Sequence, residues 1–186
     1  MVRGVNVRAI VVQGLSILIL CAFIELGAGF ALKSMEEYLT LLPGLIVMVP
    51  PLLGLRGTIN GALASRLGTA LHTGIIKPRL TMTVELKANM ASSLILSFLA
   101  SAAIGLFSYA ACILTGAETI GVLSLMAIAV IAGFTSGLIL ATMTVLVAVI
   151  SYTRGIDPDN ITSPTMATLG DFVTVACIFL GVVLVG

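Results

Sequence analysis

Long apolar runs follow one another along this chain with so little polar sequence between them that no water-soluble core can be built from it. The hydrocarbon of a bilayer is about 30 Å thick and takes about 20 helical residues to cross. Five runs of that kind are present: about Ile10 to Leu32, the stretch that opens at Pro43, the run that ends at Leu114, about Ile120 to Ser151, and Ile161 to Val185. Charged residues make up 9% of the chain against 59% hydrophobic, too few to cover a solvated surface. The sequence predicts an all-α, polytopic membrane protein of five transmembrane helices, one unit over residues 1–186.

Two of the eight acidic residues, Glu25 and Asp171, fall inside these runs. An intramembrane carboxylate costs about 2.5–3.5 kcal/mol on insertion scales, so one that persists faces a polar cavity or pathway. Counted from a span start near Thr162, Asp171 lies about 14 Å in, close to the midplane. Glu25 falls in the outer half. These two are the first candidates for function.

The second run is punctuated by Pro50, Pro51, Gly54, Gly57 and Gly61. Proline removes an amide donor and glycine relaxes the backbone, so a kinked or broken helix is expected. Freed backbone groups are tolerated at membrane depth where protein or a water-filled cavity covers them. Arg56 lies in the same run, and depth counting sets it near the cytoplasmic face, where Asp157 or Asp159 would pair with it at an inner mouth. Ser97, Ser101 and Gly105 on the third run, and Ala129, Gly133, Gly137 and Ala141 on the fourth, recur every fourth residue as close-packing faces. They carry no charge and are assigned no chemistry. The connector from Lys33 to Tyr38 is expected to be a solvated turn.

Basic residues give the orientation. Arg3, Arg8, Arg66, Lys77, Arg79 and Arg154 fall on one side of the predicted spans and Lys33 on the other. The positive-inside rule then sets the amino terminus in the cytoplasm and the carboxyl terminus outside a cell membrane. The net charge of +1, with no basic patch, argues against a nucleic-acid partner. No P-loop points to a nucleotide, and no serine or cysteine stands in a nucleophile–base arrangement, so the chain is not read as an enzyme. Cys21, Cys112 and Cys177 lie singly inside apolar runs, and His72 has no companion at ligand spacing.

Two stretches, LLGLRGTINGALASRLGTA and GIDPDNITSPTMATLGD, resemble the membrane domain of the MgtE magnesium channels and, more closely, that of their eukaryotic solute-carrier relatives. The resemblance covers most of the chain. It implies that Asp171 is the pore acid, that Asp157, Asp159, Asn160 and Pro164 form the loop and helix start before it, and that Thr58 and Asn60 stand at second-span ligand positions. Thr58 replaces a common asparagine and Asn60 a glutamate of the eukaryotic relatives. The bacterial channels pair two chains and the eukaryotic carriers hold two five-helix units, so one unit implies a homodimer. Only a few residues precede Ile10, so gating by the large cytoplasmic domains of the bacterial channels is not expected here.

Mg²⁺ suits such a site because it is commonly held by one or two carboxylates while it keeps several waters, and two copies of Asp171 about a twofold axis would supply that. Mn²⁺ and Ca²⁺ stay open. So do an H⁺- or Na⁺-coupled exchanger in place of passive uptake, and a membrane assembly protein that transports nothing.

Overall fold

The computed structural model describes residues 7–79, 81–155 and 158–185. Among these it is all helical. The helices are α1 (Val7–Ser34), α2 (Glu36–Leu41), α3 (Leu45–His72), α4 (Val84–Thr115), α5 (Val122–Thr153) and α6 (Pro158–Val185). Four segments of the described chain are long and apolar enough to cross a membrane: Leu45–His72, Val84–Thr115, Val122–Thr153 and Ile161–Val185.

Local chemistry sets the helix ends. Thr83 caps α4, its hydroxyl accepting the Leu86 amide at 3.3 Å, and Glu85 in the first turn complements the helix dipole. At the other end Gly116 takes a left-handed conformation, φ +70°, which frees the chain to turn toward α5. The expected solvated turn after α1 is instead a short helix, α2. Met35 before it is buried, and Tyr38 within it packs edge-on against Phe179 of α6, with ring centres 5.5 Å apart.

The expectation for the second span concerned Pro50 and Pro51. Both lie inside α3, which runs as one helix through them. Their nitrogens cannot donate to the carbonyls four residues back, those of Ile46 and Val47. Ile46 and Val47 lie just after the helix start and are exposed, so the loss falls in the first turns rather than at the centre.

Packing is layered along the bundle. One apolar cluster joins Leu45, Met48 and Leu52 of α3 to Leu125 and Ile128 of α5 and Val175, Ile178 and Val182 of α6. A second joins Leu63, Leu67 and Leu71 of α3 to Leu86 of α4 and Val145 and Ala148 of α5. Between them lies a buried layer of small and polar residues: Arg56, Asn60, Ser97, Ser101, Gly133, Ser136 and Gly137. α5 is central, packed against α4 and α6, while α3 lies against α4, α5 and α6.

Candidate functional site

Asp171 lies at the middle of α6 and is half-buried. Thr168, one turn earlier on the same face, bonds its hydroxyl to the Pro164 carbonyl at 3.1 Å and stands 3.5 Å from Oε1 of Glu25 on α1. Cys21, one turn before Glu25, places its thiol 3.9 Å from the Pro164 carbonyl. The two contacts run in register along α1 and α6, and they set Glu25 beside the turn of α6 that carries Asp171. The structure thus brings the helix turns that carry Glu25 and Asp171 together, two acids that the sequence placed on separate apolar runs. Thr168 was missed; its position three residues before Asp171 on a helix was the signal.

Behind this face α3 and α6 meet through small residues. A Cβ at Gly61 would touch Ser163 Oγ at 3.4 Å and one at Gly57 would touch Ala167 at 3.9 Å. A Cβ at Gly170, next to Asp171, would meet Cβ of Arg56 at 3.4 Å. Arg56 is therefore at the depth of Asp171.

The guanidinium of Arg56 is wholly buried. Nη1 donates to Ser97 Oγ at 3.0 Å and Nη2 to Ser101 Oγ at 3.3 Å, while Nε has no hydrogen-bond partner among the described residues. Gly133 and Gly137 of α5 make room for it: a Cβ at Gly137 would stand 3.0 Å from Nη1, and one at Gly133 would collide with Ser101. The two small-residue faces do pack together, but they also enclose a charge that the sequence reading did not assign to them. The expected partners are not described: Asp157 lies outside the described residues, as do the side chains of Asp159 and Asn160. Asp159 is eleven residues before Gly170, about 16 Å along α6, and the guanidinium turns to α4 and α5 rather than along α6.

Thr58 and Asn60 bond within α3. The exposed Thr58 donates to the Gly54 carbonyl at 3.1 Å, and the buried Asn60 donates through Nδ2 to the Arg56 carbonyl at 2.9 Å. Among the described residues no three His, Cys, Asp or Glu side chains gather as they would to cage a metal ion. What the face offers is two carboxylates and one hydroxyl, oxygen donors of the kind that suit a hard ion.

The chain is similar to several known solute carriers. Solute carrier family 41 member 3 of Rattus norvegicus is 29% identical over 161 residues, which cover 82% of this chain and 34% of the relative. The Mus musculus member 3 is 31% identical over 142 residues, 73% of this chain and 28% of the relative. The Mus musculus member 2 is 30% identical over 176 residues, 89% and 30% respectively. The chain spans about a third or less of the length of these curated relatives. The profile of the MgtE family, described as divalent cation transporters, matches residues 49–181. Since that match runs from the early turns of α3 into the last turns of α6 and takes in both Arg56 and Asp171, the chain belongs to the MgtE family of divalent cation transporters.

Proposed function

We propose that this chain moves a largely hydrated divalent cation, Mg²⁺ before Mn²⁺ or Ca²⁺, across a cell membrane past Asp171. Two copies act together about a twofold axis lined by α3 and α6. The observation that supports this most is a half-buried carboxylate at the middle of an apolar helix, with a second acid beside it on α1. α1 serves as the fifth span: it has 28 residues, and Leu15, Leu18, Phe23, Leu26 and Phe30 are exposed where lipid would cover them. The whole chain forms one transmembrane unit with its amino terminus in the cytoplasm. Thr58 and Asn60 border the path on α3, and Asp157, Asp159 and Asn160 form its inner mouth.

A membrane potential is enough to drive the ion. Moving a charge across 100 mV is worth about 2.3 kcal/mol, hence about 4.6 for a divalent cation, roughly a thousandfold accumulation. Passive uptake is therefore the simplest mechanism. A coupled exchanger is the second reading, favoured by the approach of Glu25 to Asp171, since two neighbouring carboxylates can take up a proton in place of a metal ion.

Purified protein in liposomes separates these readings. Mg²⁺ uptake is expected to follow an imposed negative potential, to be indifferent to a pH gradient, and to exceed that of Ca²⁺, Mn²⁺ and Co²⁺. Acceleration by an opposed proton gradient would move the assignment to exchange. No flux, together with no stabilisation by cations, would leave a membrane assembly role. Cysteine at the exposed Phe172 is expected to cross-link two copies; a strictly monomeric protein in membranes would refute the shared path.

A further inference from the structure

Arg56 holds a full positive charge with none of its surface exposed, and no described carboxylate lies within ion-pair distance of it. Two serine hydroxyls and an unpartnered Nε are poor compensation for the hydration lost. An apolar side chain would fill the same space with less desolvation, so packing alone does not account for an arginine here. Its location is specific. The Arg56 stem rests against Gly170, the residue beside Asp171, while its head is held by α4 serines between α5 glycines. Asp171 shares its face of α6 instead with Thr168, whose hydroxyl stands 3.5 Å from Oε1 of Glu25 on α1. The cation and the acid thus flank one turn of α6, with the arginine fixed on the side away from α1.

We propose that Arg56 is a fixed counter-charge to Asp171, one that weakens the hold of the path on a divalent cation so that the ion leaves as readily as it enters. This rests on the divalent-cation reading above. Conduction needs a site attractive enough to fill and weak enough to empty, and two acids facing a divalent ion err toward retention. A buried positive charge acts on a divalent ion with twice the energy it exerts on a monovalent one. Because Ser97 and Ser101 pin the guanidinium, it tunes the site without entering it.

The test measures half-saturating Mg²⁺ and maximal rate together in proteoliposomes, with Mg²⁺-dependent thermal stabilisation of the purified protein as a readout independent of flux. Arg56→Met is expected to lower the half-saturating concentration about tenfold, at the effective dielectric constant of a protein interior, and to lower the maximal rate with it. Arg56→Lys, which keeps the charge, is expected to stay within about twofold of the wild type. Ser97→Asp neutralises the guanidinium in place, should tighten Mg²⁺ binding in the same direction, and decides the matter if Arg56→Met does not fold. A purely structural arginine would lower the maximal rate and leave half-saturation unchanged. Wild-type half-saturation in both Arg56→Met and Ser97→Asp overturns the proposal while leaving transport intact. A wild-type protein that Mg²⁺ neither crosses nor stabilises overturns the transport reading and this proposal with it.

Discussion

Replacing Asp171 by asparagine is expected to reduce Mg²⁺ uptake into proteoliposomes at least about a hundredfold, some 2.7 kcal/mol in barrier height, while the bundle still folds. The amide keeps the size and some of the hydrogen bonding but removes one negative charge per copy, so the proposed pair would lose both charges facing the ion. A divalent cation at mid-membrane then gives up part of its hydration without a countercharge. Folding should survive, because Asp171 is half-buried and none of the hydrogen bonds found among the described residues depends on its carboxylate. Asp171→Glu should fall between the wild type and asparagine, since the longer side chain narrows a site sized for a water-clad ion. Glu25→Gln should weaken uptake less, because Glu25 is exposed and lies toward the end of α1. Thermal unfolding checks the fold and an entrapped magnesium indicator checks the flux. Full uptake by a folded Asp171→Asn protein would remove this residue from the mechanism and raise Glu25 in its place.

Gly105→Ala is expected to destabilise the protein by about 2–3 kcal/mol. The added Cβ would meet Met126 Cα at 2.7 Å, its nitrogen at 3.0 Å and the Leu125 carbonyl at 3.1 Å, so the obstacle is backbone and α4 must separate from α5. Trimming Met126 to alanine should bring no relief. Gly133→Ala meets a side chain instead, Ser101, so the double substitution with Ser101→Gly should recover part of the loss despite giving up one Arg56 hydrogen bond. Gly29→Ala is the control: nothing lies within 4 Å of its added Cβ, and alanine is the better helix former. Unfolding in mixed micelles ranks these variants. A Gly105→Ala protein as stable as wild type would mean that α4 and α5 do not approach as closely as described.

The contrast between these glycines and Arg56 shows what was legible in the sequence. A four-residue repeat of small side chains identifies the face a helix presents, and the faces of α4 and α5 do meet, Gly133 against Ser101 and Gly137 against Ser97. The repeat cannot say which third helix projects into the seam, so the guanidinium that it encloses was not foreseen. For Asp171 the count agrees with a position at the middle of α6, whose start was marked by the DPDN segment. It set Arg56 at a different level from Asp171, whereas the two are level in the bundle, because α3 is 28 residues long and its start at Leu45 is set by a turn at Gly44, φ +91°, that no apolar periodicity marks. The prolines do not break α3: in the early turns of a helix they remove donors without ending it. Asp171 and Glu25 were legible singly, as charges in apolar runs, but their approach depends on α1 packing beside α6, a contact separated by more than a hundred residues of chain.

That pairing of first and last helix also bears on assembly during synthesis. Among the described residues α1 packs chiefly against α6, and Tyr38 of α2 rests on Phe179 near the far end of α6. Helices α3, α4 and α5 can associate as each leaves the translocon. On the five-span topology proposed above, α1 and α2 wait in lipid until α6 arrives, so the two acids meet only once α6 has inserted, and a ribosome-bound chain halted before α6 would hold Glu25 in the membrane without its partner.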